Sequence, residues 1–162
     1  MTTELGQAFI DDHRLMMQSL NRLLEALEAN DLSTAAKVAH ELDHVAGPHI
    51  RFEEKYLYPI VKEARGRKYA KRLYEEHRIA WKTLQSLFQW EKDNRLDGQT
   101  QQELVENTNL ALDHATSCGT LLSHLTTLPD DDQTRLLEKL RHLREEGICW
   151  TEIGHPSSEE ET

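Results

Sequence analysis

Apolar residues recur at three- and four-residue intervals along most of this chain, the period of an amphipathic helix. The first run is Phe9, Ile10, Leu15, Met16, Leu20, Leu23, Leu24 and Leu27. It ends at Ala29-Asn30-Asp31, where Asp31 or Ser33 can cap a second helix. The second run is Ala35, Val38, Leu42, Val45, Phe52, Leu57, Ile60 and Val61; Gly47-Pro48 interrupts it, and it fades at Gly66. The third, Leu73, Ile79, Leu84, Leu87 and Phe88, ends in the polar stretch from Asp93 to Gly98. The fourth, Leu104, Val105, Leu110, Leu112, Leu121, Leu122 and Leu125, stops at Pro129. Asp130, Asp131 and Asp132 suit the start of a helix, and Leu136, Leu137, Leu140 and Leu143 mark a short fifth one, ended by Gly147. Long helices joined by short connections predict an all-α, up-down-up-down four-helix bundle with a short C-terminal helix. One domain is expected over residues 1–146, with 147–162 a disordered, flexible acidic tail in which Ile148, Cys149 and Trp150 can dock locally.

Composition narrows the function classes. Lys and Arg number 19 against 29 Asp and Glu, a formal net charge of −10 over 162 residues. Such a surface repels phosphate backbones and anionic lipid, so neither nucleic acid nor a membrane is an expected partner. No apolar run approaches the ~20 residues that span a bilayer. The opening residues carry no basic and apolar leader, and Cys118 and Cys149 are too few for a disulfide framework. A reduced, cytoplasmic protein is expected. No nucleophile triad, phosphate loop or heme-attachment motif is present, so no hydrolase or transferase chemistry is indicated.

Nine histidines change the picture. Asp12-His13-Arg14 opens the first helix and Glu76-His77-Arg78 the third. His13 and His49 are 36 residues apart, and His77 and His114 are 37 apart, so the chain reads as two similar helical hairpins. In an antiparallel pair, residues lie side by side when their mean number falls at the connecting loop. The means are 31 for 13 and 49, 95.5 for 77 and 114, and 65 for 53 and 77, each at a loop identified independently. His13, His49, Glu53, His77 and His114 therefore fall within about one helical turn, ~5.4 Å, along the bundle. His49 and Glu53, four apart, share a face. Imidazoles with a carboxylate suit iron, zinc or manganese.

The stretch from His49 to Pro59, with Glu53, Glu54, Leu57 and Tyr58 between, resembles the H-x-x-x-E-E-x-x-L-[FY]-P signature of the hemerythrin-like (HHE cation-binding) family. The resemblance spans roughly residues 9 to 128. It implies a four-helix bundle with a non-heme di-iron centre that binds or senses O2, NO or a related small ligand. It also implies His13, His49, His77 and His114 as terminal ligands and Glu53 as a bridging carboxylate. One departure stands out: the counterpart of Glu53 in the second half, four residues after His114, is Cys118, and Gly119 follows it. The site then holds one metal or two, recruits another ligand or stands empty, with Cys118 as a further ligand or as an inert buried thiol.

His44 lies about 140° from His49 on a regular helix, and only a π-bulge near Pro48 would swing it inward as a ligand. His40 points away, and His124, His142 and His155 fall outside the site and are expected to be exposed. Glu41-x-x-His44 matches the ferritin-like E-x-x-H, but that chemistry needs the motif twice. Tyr56, Tyr58, Trp81 and Trp90 read as plain core or as a water-excluding surround of the site, and Glu54 as outward-facing, as support for a histidine or as a further ligand. Two other functions remain: a metal-free interaction or structural bundle, and a di-iron enzyme handling oxygen or peroxide.

Overall fold

The computed structural model describes residues 2–90 and 95–153, and every regular element among them is helical. Helix α1 spans Glu4–Glu28, α2 Leu32–Phe52, α3 Tyr58–Arg65, α4 Arg67–Trp90 and α5 Gly98–Gly119. Three shorter helices follow: α6 Ser123–Thr126, α7 Asp130–Glu146 and α8 Trp150–Ile153. The starts are written in the sequence. The side chains of Thr3, Asp31 and Asp97 accept the backbone N–H groups of Gly6, Thr34 and Thr100 at 3.1, 3.1 and 2.8 Å. The α7 stop is equally local, since Gly147 takes a left-handed φ of 64°.

Helix α2 packs on α1 and α4, and α5 closes against α1 and α4; α7 covers α1 and α2. Two apolar clusters fill the interior. One is built on Leu23, Leu27, Val38, Leu42, Leu84, Leu87 and Leu104, the other on Phe9, Phe52, Leu57, Val61, Leu73, Leu121 and Leu140. On each of the four long helices, the candidate site residues lie between the two. His13 falls between Phe9 and Met16, His77 between Leu73 and Ala80, and His49 and Glu53 flank Ile50 and Phe52. His114 and Cys118 bracket Ala115 on α5. The polar layer is thus sealed from both ends by hydrocarbon.

Helix α2 runs through Gly47-Pro48 without a break, contrary to the interruption expected there. The irregularity comes one turn later. Residues Glu53–Leu57 form a π turn, closed by the Tyr58 N–H on the Glu53 carbonyl. The glycine at 47 serves contact, not flexibility, because a Cβ there would stand 1.9 Å from the Ile148 carbonyl oxygen.

Of the segment expected to form a tail, residues 147–153 are described, and they strap across α2. Thr151 donates its backbone N–H and its hydroxyl to Asp43, at 2.7 and 2.8 Å, and Trp150 is buried. Residues 154–162, with His155, lie outside the described residues. Gly47→Ala is expected to lift this strap at a cost of about 1–3 kcal/mol, the usual range for overpacking. The check is Trp150 emission, which should shift to the red in the variant; unchanged emission would mean that the strap adjusts without leaving.

Candidate metal centre

Glu53 is the hub. It is 1% exposed, and its two oxygens face different neighbours. Oε1 lies 2.9 Å from His49 Nε2 and 3.5 Å from His13 Nε2, and it accepts the Cys118 thiol at 2.8 Å. Oε2 lies 3.0 Å from His77 Nε2 and accepts the Tyr58 hydroxyl at 3.3 Å. The Tyr58 oxygen is also 2.8 Å from His77 Nε2 and 3.3 Å from His114 Nε2.

The outer nitrogens are all held by acceptors. His13 Nδ1–H donates to the Phe9 carbonyl at 3.0 Å. His49 Nδ1–H donates to Asp12 at 3.2 Å, His77 Nδ1–H to Glu54 at 3.0 Å, and His114 Nδ1–H to Glu76 at 2.6 Å. A carbonyl or carboxylate oxygen can only accept, so each Nδ1 carries the proton and each Nε2 turns inward as the available ligand atom. Arg144 on α7 continues one of these chains, donating to Asp12 at 2.7 Å and to the Ala8 carbonyl at 3.3 Å.

Burial and charge set the protonation. Burial disfavours the charged form of His49, but Glu53 and Asp12 outweigh it and raise its pKa to about 9. Burial opposes charge on His77 too, and Glu53 and Glu54 lift it to about 9. His13 has only a carbonyl behind it; burial and the neighbouring His49 charge lower it to about 4. Burial also lowers His114, against the pull of Glu76. Glu53 stays ionised because His49 and His77 overcome its burial. Burial and the Glu53 charge push the Cys118 thiol and the Tyr58 phenol well above their ordinary ranges.

Two groups of donors satisfy the spacing of a metal ion. In each of His13–Glu53–Cys118 and Glu53–His77–His114, the ligand atoms all lie within 4.8 Å of one another. The structure thus brings together His13, His49, Glu53, His77, His114 and Cys118. His44 is not among them. The π turn follows His49 instead of preceding it, so His44 keeps its outward angle, and it is exposed with its Nδ1 3.7 Å from Cys149 Sγ. His40 stacks on Phe88, His142 pairs with Glu146 at 3.1 Å, and His124 is half-buried rather than exposed.

Four residues have roles at the centre that were not read from the sequence. Tyr58 is five residues past Glu53, about 140° around a regular helix. The π turn absorbs one residue and brings it to within about 40° of Glu53. Asp12 and Glu76 precede His13 and His77 in the two hairpins, and each orients the histidine on the other helix of its own hairpin. The repeated acid-His pair was the available signal. Trp150 is the fourth, with its ring centroid 6.1 Å from that of His77.

A cavity of about 30 Å³ opens beside the hub, room for a water-sized ligand. Its polar wall is His13, Glu53, Glu76, His77 and His114; Met16, Leu20, Leu42, Ile50 and Trp150 are prominent in the apolar wall. No helix among the described residues is long and apolar enough to cross a membrane.

A family model for the hemerythrin HHE cation binding domain matches residues 6–146. No curated protein and no solved structure matches the chain.

Proposed function

This chain belongs to the hemerythrin HHE cation-binding family, and on that premise we propose that it holds non-heme iron, one ion or two, and reversibly binds or senses O2, NO or a related small ligand. The ligands are His13, His49, Glu53, His77 and His114, with Cys118 as a further donor. In this reading α1, α2, α4 and α5 form an up-down-up-down four-helix bundle, and the protein works in the cytoplasm. The observation that carries the proposal is the common orientation of the four imidazoles, each with Nδ1 committed outward and Nε2 turned towards Glu53. Charge supports it. Asp12, Glu53, Glu54 and Glu76 bring four carboxylates to four histidines, with Arg144 and Arg72 as the cations paired to them.

When bound, iron would supply a Lewis-acidic, redox-active position for a diatomic ligand. The protein supplies the rest. The carboxylates behind His49, His77 and His114 fix ring orientation and make the ligands more basic. Glu53 offers one oxygen to each donor group. The apolar wall of the cavity excludes bulk water and limits ligand size. The purpose of the Trp150 strap in this scheme is to close that wall from a segment beyond the matched domain.

The test is spectroscopic. Iron(II)-loaded protein exposed to NO or O2 under controlled gas is expected to change its visible absorption, and to recover it when the gas is removed. Recovery without consumption of ligand is the carrier or sensor result. Net consumption of O2 would favour the enzyme reading, and an iron-loaded protein blind to both gases would overturn the ligand-binding part.

A further inference from the structure

The donors around Glu53 divide into two unlike sets. Cys118, His49 and His13 gather on Oε1, whereas His77 and the Tyr58 hydroxyl gather on Oε2, with His114 next to that hydroxyl. The sets also differ at the cavity: His77 and His114 both line it, whereas of the Oε1 set only His13 does, and Cys118 and His49 lie behind it.

Resting on the metal-binding reading above, we propose that the Oε1 set is a closed thiolate subsite selecting a thiophilic ion such as zinc, so that the chain holds two chemically different ions that share Glu53. Two imidazoles, one thiolate and one carboxylate oxygen make the four-donor shell that zinc takes in closed sites. Thiolate is a soft ligand and directs zinc ahead of harder ions, while the all-nitrogen and oxygen set at Oε2 retains suitability for iron. The departure from a second carboxylate is then a change of metal, not a loss of site. On binding, the Cys118 S–H gives up its proton to solvent and a sulfur–metal bond replaces its hydrogen bond to Glu53. The single negative charge of the missing carboxylate is thereby restored by the thiolate. The subsite that reaches the cavity only through His13 holds structure, and the one with both histidines on the cavity meets ligand.

The test uses cobalt(II) and zinc(II) as probes on metal-free full-length protein. Wild type is expected to show a sulfur-to-cobalt charge-transfer band in the near ultraviolet that saturates at one cobalt per chain and is erased by zinc. Cys118→Ser should lose that band and weaken zinc binding by about 100-fold or more, yet still take an ion at His77 and His114. Cobalt bound to wild type without the band, or zinc affinity unchanged in Cys118→Ser, would overturn the thiolate subsite while leaving metal binding intact. Failure of wild type to bind any of these ions would overturn both readings. The wild-type spectrum decides the matter even if the variant folds poorly.

Discussion

Glu53→Gln is expected to strip the centre of its metal and to destabilise the metal-free protein as well. The substitution keeps the size and shape of a side chain that is 1% exposed and removes only its charge. That charge is the shared partner of His49 and His77. Removing one member of a buried ion pair costs about 3–5 kcal/mol. The loss is capped because the two histidines can shed protons, so about 3 kcal/mol is the expected effect in the metal-free state. Metal affinity should fall by more than about 100-fold, beyond the 10–100-fold typical of weaker supporting contacts, and metal content should drop with it. Denaturant melts and metal analysis read both effects. The histidine signals give a third check: His49 and His77, now near 9, should titrate lower once the Glu53 charge is gone, with Asp12 and Glu54 still holding against burial. A variant that keeps full metal content would remove Glu53 from the centre of the account.

Loading of the whole centre is expected to become about 100-fold more favourable per pH unit, from His49 and His77 together, between the ordinary histidine range and pH 9, and the Cys118 proton steepens it where the thiol ligates. The two histidines raised to about 9 carry protons in the metal-free protein, and those protons occupy the atoms that must bind metal. Uptake at pH 7 should therefore release about two protons per chain from these groups. Calorimetry in buffers of different ionisation enthalpy counts them. Stability follows with opposite behaviour in the two forms. A pKa raised from 6.5 to about 9 gives stabilisation that is complete below 6.5 and is lost as pH climbs through 9. The metal-free protein should weaken across that window. The loaded protein, whose histidines are unprotonated like those of the unfolded chain, should hold its stability there. The lowered pKa of Glu53 acts at the other end, its contribution being lost as pH falls below the carboxylate range.

The helices were legible because their signals are local. Apolar spacing, three side-chain caps and Gly147 fix where elements begin and end with little help from tertiary packing. The level of the site was legible too, since loop positions alone bring five residues to one height. Angle was not. A π turn shifts every later side chain by about 100°, and nothing in the composition of Glu53–Leu57 announces it. That is why Tyr58 read as core and why His44 stood as a candidate ligand. The break expected at Pro48 failed for a related reason: proline forfeits one backbone hydrogen bond, and α2 carries on through it where both flanks are packed on α1 and α4. The contacts behind the histidines escaped because Asp12 and Glu76 reach across a hairpin, a relation visible in sequence only once the two halves are aligned. The Trp150 strap depends on contacts between residues about a hundred positions apart, Gly47 under the Ile148 carbonyl and Asp43 with Thr151.

The most direct measurement is metal content per chain by plasma mass spectrometry, on protein produced with iron and zinc supplied and purified without an affinity-column metal, beside His49→Ala made in the same way. The account predicts about one to two ions per wild-type chain, resistant to mild chelation, and a large fall in the variant together with a lower melting temperature, because metal binding adds to folding. Folded wild-type protein that carries no metal, or a His49→Ala protein that carries as much as wild type, would contradict it.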